Sequence, residues 1–251
     1  MKKALITGAS SGIGKDIALY LDSLEYHLIL VGRDEKKLEE VQKKCKFATI
    51  ILSDLSNKEE VYRLYLKTKN EQIDILVNNA GFGLFGYFHE IELEKELEMI
   101  NVNIIAVHML TKLFVTDFIK RDSGYILNVA SAAGFMAGPY LNTYYATKNY
   151  SLKLTLGLYE ELKSKKSDVH VSALCPGPVD TNFNNIAGGT FKTKELSSSY
   201  VAKYGIDNLL KRKLIIIPSF KMKLSIILSK FIPMKLLLKI TYNIQKNKVL
   251  K

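Results

Sequence analysis

A glycine-rich loop near the N-terminus constrains the fold of this chain more than any other feature. Residues 3–7 are an apolar run typical of a buried strand, and a helical apolar repeat continues to Leu21. The segment between them consists of Thr7, Gly8, Ala9, Ser10, Ser11, Gly12, Ile13 and Gly14. Strand, glycine loop and helix therefore follow one another directly, with glycines where the backbone has to turn sharply.

This order of elements favours binding of a dinucleotide. Glycines let the backbone approach a pyrophosphate closely, and the amides at the positive end of the following helix meet its charge. A glycine triplet alone often marks only a tight turn, but its place between strand and helix is more specific. The predicted contacts are Gly8, Ser10, Ser11, Gly12, Ile13 and Gly14.

Further strands alternate with helical segments along the chain. Apolar runs at 26–31, 47–52, 73–77, 124–129, 169–174 and 214–217 read as strands two to seven. This alternation predicts an α/β fold of the Rossmann type: a doubly wound parallel sheet of about seven strands with helices on both faces, in three layers. The ligand is then expected at the carboxyl ends of the strands.

Arg33 stands at the end of the second strand, where the identity of the cofactor is often decided. An acidic residue there suits the ribose hydroxyl of NAD, whereas an arginine suits the 2′-phosphate of NADP. Gly32 leaves space beside Arg33, and we therefore expect NADP(H) in preference to NAD(H). The alternative is a solvated arginine at the start of a helix, with Asp34 partly offsetting its charge.

Two more strand ends carry polar residues. Asp54, followed by Leu55, either accepts a hydrogen bond from an adenine amino group or caps the helix near Asn57. The fourth strand closes with Asn78, and we place the next three residues at the cofactor: Asn79, Ala80 and Gly81.

Tyr144 and Lys148 are four residues apart in a segment with helical apolar spacing, so both side chains are predicted on one helix face. A nearby ammonium favours the phenolate and is expected to lower the pKa of the phenol toward the range useful for acid–base catalysis. Tyr145 lies about 100° further round the helix and is expected to pack or line an interface. Chance pairs of this kind occur on many amphipathic helices.

Taken together, the loop at 7–14, the Asn78 to Gly81 segment and the Tyr144 to Lys148 segment resemble the short-chain dehydrogenase/reductase family, in its form of roughly 250 residues. The resemblance implies an oxidoreductase with catalytic residues Asn103, Ser131, Tyr144 and Lys148. In it, Asn103 holds a water in a proton relay with the lysine, and Ser131 binds the substrate oxygen. Ala106 departs from the glycine common in relatives, so local helix packing is expected to differ.

The turn after the sixth strand is implied by the resemblance to meet the nicotinamide. Its predicted contacts are Pro176, Gly177, Val179 and Thr181, while Cys175 is expected to be a packed side chain and not a nucleophile. Residues 182–205 correspond to the loop over the substrate, and its apolar residues would suit a hydrophobic carbonyl compound. They are Phe183, Ile186, Phe191 and Leu196.

The remaining composition bounds the class of protein. The chain has 251 residues, and we predict one domain with a core at 1–181, a substrate loop at 182–205 and a last strand with basic helices at 206–251. Two distant cysteines, four scattered histidines and no signal peptide favour the cytoplasm and argue against a metal site. By resemblance, a homodimer or homotetramer would form through the helices at about 93–118 and 143–163.

The positive charge is concentrated in the tail. From Lys203 onward there are twelve Lys or Arg and one acid, which equals the net charge of +11 of the whole chain. The tail has no apolar run long enough to span a membrane, but it contains an apolar stripe at helical spacing. Its helices are expected either to cover the sheet edge or a subunit interface, or to adsorb to an anionic membrane surface. Few aromatics and no recognition motif argue against nucleic acid.

The sequence therefore predicts an NADP(H)-dependent oxidoreductase that interconverts a ketone or aldehyde and an alcohol. Tyr144 is assigned as the general acid or base, Ser131 as the partner of the substrate oxygen, Lys148 as the residue that tunes the phenol and binds ribose, and Asn103 as the relay. Two alternatives are a catalytically silent nucleotide-binding sensor or scaffold, and an isomerase or dehydratase on the same fold.

Overall fold

The computed structural model describes residues 1–183, 187–188 and 196–249, with side chains as far as Lys246. In chain order the elements are β1 (Lys3–Thr7), α1 (Gly12–Ser23), β2 (His27–Gly32), α2 (Glu35–Gln42), β3 (Ala48–Leu52), α3 (Lys58–Thr68), β4 (Ile75–Asn78), α4 (Leu93–Ile100), α5 (Val107–Lys120), β5 (Tyr125–Val129), α6 (Asn142–Ser164), β6 (His170–Leu174), β7 (Val179–Asp180), β8 (Leu196–Ser197), α7 (Ser198–Leu210), β9 (Ile215–Ile216), α8 (Phe220–Ser229) and α9 (Met234–Val249).

Seven parallel strands form the main sheet in the order β3-β2-β1-β4-β5-β6-β9. The order reverses direction between β1 and β4, so the connections leaving these two strands diverge and open a crevice at their carboxyl ends. The predicted doubly wound parallel sheet of seven strands is confirmed, with the last strand at the edge. A separate pair, β7 with β8, lies outside this sheet.

Alternate residues of the strands feed two hydrophobic layers. In β1, Ala4 and Ile6 face the layer formed by α1, α2 and α7, whereas Leu5 faces the layer formed by α3, α5 and α6. Strands buried on both faces read as continuous apolar runs, as the short run of β1 does. The predicted three-layer arrangement is confirmed.

The segment predicted as one long helix over 93–118 has three parts. Between α4 and α5, residues Asn101–Ala106 form a π-helical stretch, which is common at functional sites. By length and composition Leu93–Lys120 could span a membrane, but Leu110, Phe114 and Phe118 are buried against the sheet. This stretch is therefore placed as a core helix.

The predicted boundary between a substrate loop and a tail, at 205/206, falls inside α7. This helix begins at Ser198, where the Ser197 hydroxyl accepts a hydrogen bond from the Tyr200 amide at 3.3 Å as an N-cap. Val201 and Ile206 are both buried against α1 and the sheet, which continues the helix across the predicted boundary. The predicted residues Ile186 and Phe191 lie outside the described part of the chain.

His170 is a buried core side chain, as expected for a histidine outside any ligand cluster. Its Nε2 lies 3.1 Å from the Ser172 hydroxyl, and its ring makes edge contacts with Tyr125 and Tyr159. Burial, with a smaller contribution from Arg212, lowers the pKa of His170 to about 4.

This burial predicts a pH-dependent loss of stability. Because the unfolded histidine titrates near 6.5, the unfolded state binds one more proton than the native state between pH 6.5 and 4. The free energy of unfolding should therefore fall as the pH drops through this window, by about 2 to 3 kcal/mol. Urea unfolding from pH 7 to 4 measures the fall, which His170→Gln should reduce. The exposed His89→Gln serves as the control and should leave the wild-type profile unchanged.

Candidate active site

The glycine loop forms a cradle at the carboxyl end of β1. Gly8 and Gly12 adopt left-handed backbone angles, with φ of 64° and 53°. A Cβ on Gly14 would overlap the Gly8 carbonyl and the Asn79 side-chain amide. The Ser11 side chain makes no capping hydrogen bond at the start of α1, so the first amides of this helix keep their capacity for an anion. The cradle therefore fits the pyrophosphate of a dinucleotide.

Thr7 and Asn79 fasten this cradle to the neighbouring strand. The Thr7 hydroxyl donates to the Val77 carbonyl at 3.2 Å and accepts from the amides of Asn79 and Ala80 at 2.9 and 3.1 Å. The Asn79 side chain donates to the carbonyls of Thr7 and Gly8 at 3.0 and 3.1 Å. Asn79, one of the residues predicted to contact the cofactor, thus holds the glycine loop in place with its side chain. The role of Thr7 was not anticipated from the sequence.

The positive charge of Arg33 is paired with neighbouring carboxylates. Its Nη1 lies 2.8 Å from Glu98 Oε1 and 3.8 Å from Asp54 Oδ1. Asp34 caps α2 by accepting from the Lys37 amide at 3.2 Å, and Lys37 holds the pKa of this carboxyl below its usual value. Two carboxylates therefore compete with a phosphate for Arg33, which the sequence pattern did not reveal because Glu98 belongs to α4.

Asp54 and Leu55 are the next two residues predicted to contact the cofactor, and they differ in whether the side chain or only the backbone is available to it. Asp54 Oδ1 accepts from the amide and the hydroxyl of Ser56 at 3.0 and 2.8 Å, and Asn57 is the residue that caps α3. The alternative role of Asp54 as that cap is therefore wrong. The Leu55 side chain is buried in the core, so only its backbone is available for the predicted contact.

Three predicted catalytic residues meet at the end of β5. Lys148 Nζ donates to the Val129 carbonyl at 2.8 Å and lies 5.8 Å from the centre of the Tyr144 ring. Ser131 follows this strand and forms a side-chain hydrogen bond with Tyr144. Its hydroxyl also accepts from the Ala133 amide at 3.1 Å, which fixes the serine at the start of a short 3-10 turn.

Asn103 joins this group through the π-helical stretch. Its side-chain amide donates to the Phe82 carbonyl and the Thr147 hydroxyl at 2.9 and 3.0 Å, and its oxygen accepts from the Phe82 amide at 3.1 Å. A Cβ on Gly81 would lie 2.8 Å from Asn103 Oδ1 and 3.3 Å from Lys148 Nζ. A glycine is needed where these two side chains approach the same stretch of backbone.

The titration of the pair differs from the expectation. Burial raises the pKa of Tyr144 to about 12, although the hydrogen bond with Ser131 acts in the opposite direction. Burial also lowers the pKa of Lys148 to about 8. The pKa of the phenol is therefore raised in this structure and not lowered as predicted, and the largest cause is the desolvation of the phenolate by burial.

The turn after β6 closes the cradle from the other side. The Pro176 carbonyl accepts from the Ala132 amide at 2.8 Å, and the Thr181 methyl group would be 3.1 Å from a Cβ on Gly12. Val179 lies in β7 next to the core. Cys175 is fully buried and its pKa is raised to about 12, as expected for a packed thiol. Both cysteines are free.

Aromatic side chains contact Tyr144 and also Tyr140, which precedes α6, and we refer to these rings as the aromatic rim. The Phe183 ring lies 5.2 Å from the Tyr144 ring, and Tyr140 stacks on Phe85 and on Tyr242 of α9, with ring centres 6.1 and 5.5 Å apart. Phe183 was predicted to line the pocket. The contribution of α9 was not predicted, because a contact between positions 140 and 242 has no local sequence signal.

The tail also reaches the site at two other points. Gln245 donates to the Tyr145 hydroxyl at 2.5 Å, so Tyr145 packs as predicted. The Met222 methyl group on α8 lies against Gly177, where a Cβ would be only 2.8 Å away. The described residues contain no cluster of three or more His, Cys, Asp or Glu side chains that could hold a metal ion.

Comparison with known proteins agrees with this arrangement. Residues 2–188 match the short chain dehydrogenase family. An uncharacterized oxidoreductase of Staphylococcus saprophyticus is 40% identical over 187 residues, covering 72% of this chain and 79% of the relative. Estradiol 17-beta-dehydrogenase 11 of Pongo abelii is 34% identical over 231 residues, covering 86% and 74%.

Solved structures show the same fold. A short-chain dehydrogenase from Sphingobium yanoikuyae in complex with NADPH aligns with a TM-score of 0.82 and 26% identity, covering 88% of this chain and 89% of that one. A short-chain dehydrogenase/reductase from Burkholderia phymatum in complex with NAD aligns with a TM-score of 0.83 and 23% identity, covering 92% and 93%, and bears on the fold alone.

The cradle predicts opposite effects for two glycine substitutions. Gly14→Ala should reduce the affinity for NADPH and for NADH at least tenfold and lower the melting temperature, because its Cβ displaces the Gly8 carbonyl. Gly157→Ala is the control, since a Cβ there meets nothing within 4 Å in the middle of α6. It should stabilise the protein by about 0.5 to 1 kcal/mol with unchanged binding. Fluorescence titration and thermal melting measure both, and wild-type binding by Gly14→Ala would contradict the assignment.

Proposed function

Since the chain belongs to the short-chain dehydrogenase family and is an oxidoreductase, we propose that it is NADP(H)-dependent and interconverts a ketone or aldehyde and an alcohol on a hydrophobic small molecule. The observation that carries this proposal is the meeting of Ser131, Tyr144 and Lys148 beside the glycine cradle. A silent sensor or an isomerase is not favoured, because all the predicted catalytic residues are present and grouped.

The residues that would hold the cofactor surround the cradle. The glycine loop and the first amides of α1 meet the pyrophosphate, Arg33 the adenosine phosphate, and Lys148 the nicotinamide ribose. Gly81 and the turn from Pro176 to Thr181 leave room for the nicotinamide half. When bound, the cofactor supplies or accepts a hydride at its nicotinamide ring.

The side chains of the site handle the proton. In the reduction direction Tyr144 donates its hydroxyl proton to the substrate oxygen, and the Ser131 hydroxyl shares the charge that develops there. A phenol pKa of about 12 keeps Tyr144 protonated at neutral pH, which is the form that reduction requires. Lys148 returns a proton to Tyr144 from solvent through a water that Asn103 would hold, and both side chains approach Gly81.

The aromatic rim supports a hydrophobic substrate. Phe183 presents its ring next to the reacting phenol, and Tyr242, stacked on buried Tyr140, adds an exposed ring. Such surfaces bind apolar compounds by burial of area. The name of the similar estradiol 17-beta-dehydrogenase 11 agrees with a lipophilic alcohol or carbonyl as the class of substrate.

We also propose a cytoplasmic protein, which the two free thiols fit, and a homodimer or homotetramer that pairs through α5 and α6.

The adjacent tyrosines provide a matched test of the catalytic assignment. Tyr144→Phe should lower kcat by about a factor of 100 to 10,000, because it removes the proton donor, while NADPH affinity stays within twofold. Tyr145→Phe loses only the hydrogen bond to Gln245 and should keep kcat within a fewfold. Steady-state assays with a panel of lipophilic ketones measure both, and unchanged turnover of Tyr144→Phe would refute the role of Tyr144.

The cofactor preference is tested at Arg33 and at its acidic neighbour. Arg33→Ala should weaken NADPH binding about tenfold or more and leave NADH binding unchanged. Glu98→Gln should strengthen NADPH binding, since it removes the carboxylate 2.8 Å from the guanidinium. Arg63→Ala, which removes an exposed side chain of α3, is the control. Equal wild-type affinity for NADPH and NADH would contradict the preference.

A further inference from the structure

Helix α8 carries an apolar stripe on its outer side. Phe220, Leu224, Ile227 and Leu228, with Phe231 just past the helix end, are all exposed, Phe220 and Phe231 at 80% and 82%. At 100° per residue these five side chains fall within an arc of roughly 100°. We refer to these five residues as the tail stripe. The opposite side of α8 packs on the protein, through buried Ile226 and through Met222 against Gly177.

Lysines border the tail stripe on both sides. Lys221 projects along one edge, and Lys223 and Lys230 along the other, and all three are exposed. The sequence contains no acidic residue after Asp207, and none of the ion pairs among the described residues involves these lysines. The stripe and its border therefore form an uncompensated cationic, apolar surface.

Helix α9 adds a second apolar row beside a second set of lysines. Leu236, Ile240 and Ile244 follow one another at intervals of four residues and are exposed, while Lys235 and Lys239 occupy another side of the helix. The packed side is held by buried Thr241 and by Gln245 on Tyr145. Both helices thus present apolar residues away from the side that contacts the domain.

The positive charge of the lysines distinguishes between two partners that could cover such a surface, a second copy of the chain and a lipid bilayer. In a symmetric pair of chains the same patch contacts itself, so the lysines of one stripe would lie against the lysines of the other without an acid to neutralise them. The headgroups of an anionic bilayer neutralise lysines, and its acyl boundary accepts the exposed Phe and Leu side chains. We propose that the tail stripe docks on the surface of an anionic lipid bilayer, with α8 lying in the plane of the interface.

The docking surface is joined to the active site. Met222, on the inner side of α8, contacts Gly177 in the turn assigned to the nicotinamide, and Tyr242 of α9 stacks on Tyr140 at the aromatic rim. A docked α8 would hold the rim close to the bilayer, so lipophilic carbonyl substrates can pass from lipid to the site. This second step rests on the proposed function, whereas the docking itself does not.

A matched pair of leucines tests the docking on the full-length protein. Leu228 in the stripe is 54% exposed, and Leu66 on α3 is 42% exposed. The protein is mixed with vesicles of phosphatidylcholine containing 30% phosphatidylglycerol, or of phosphatidylcholine alone, and separated by flotation in low and high salt. Wild type and Leu66→Glu should float with the anionic vesicles in low salt. Leu228→Glu should bind at least tenfold more weakly, because it loses apolar burial and adds a repelled charge.

The outcomes separate docking from catalysis. Absence of flotation of the wild type, equal flotation with both kinds of vesicle, or equal loss in the two variants would overturn the proposal. A halved mass of Leu228→Glu relative to wild type in sedimentation equilibrium without vesicles would overturn it in favour of a second copy. NADPH-dependent reduction of a water-soluble ketone is measured without vesicles, where both variants should match the wild type. Flotation without any reductase activity would refute the proposed function and leave the docking intact.

Discussion

The hydrogen bonds that join Thr7 to the end of β4 are the constraint on which the rest of the site depends. The Thr7 hydroxyl donates to the Val77 carbonyl and accepts from the backbone amides of Asn79 and Ala80. The Asn79 side-chain amide donates to the carbonyls of Thr7 and Gly8. These bonds span the point where the sheet order reverses. Because buried polar groups must find partners, the two strand ends are held in one arrangement. This arrangement determines the positions of the glycine cradle and of Gly81, and hence the distance from Gly81 to Lys148.

Burial and charge oppose each other at the catalytic pair. A fixed ammonium near a phenol should lower its pKa, yet burial raises that of Tyr144 and at the same time lowers that of Lys148. Each shift corresponds to about 3 kcal/mol against the charged form. The Val129 carbonyl at 2.8 Å gives the ammonium one fixed acceptor. Water or a charged ligand entering this space would relieve the same penalty, so the titration of the pair is coupled to what binds beside Gly81.

The sequence predicted the parts of the fold that rest on local pattern. Apolar runs gave the seven strands to within two residues at their ends, and the four-residue spacing of Tyr144 and Lys148 correctly put them on one helix. The pattern missed what depends on contacts distant in the chain, such as the carboxylates at Arg33 and the use of Asn79 to fasten the loop. The pattern also missed the direction in which the pKa of Tyr144 shifts, because burial is a property of the packed site and not of the spacing between two residues.

The tail is a second case in which the sequence predicted the helices but not how they pack on the domain. Its helical spacing and charge were visible in the sequence, but which side of α8 faces the domain was not. Met222 and Ile226 occupy the packed side, and five apolar residues that include two phenylalanines face outward. Folding alone would favour the reverse, since each buried large side chain contributes about 1.5 to 3 kcal/mol. A sequence that leaves Phe220, Leu228 and Phe231 exposed therefore gives up stability of the isolated chain, which the proposed docking on an anionic bilayer would recover by burying these side chains.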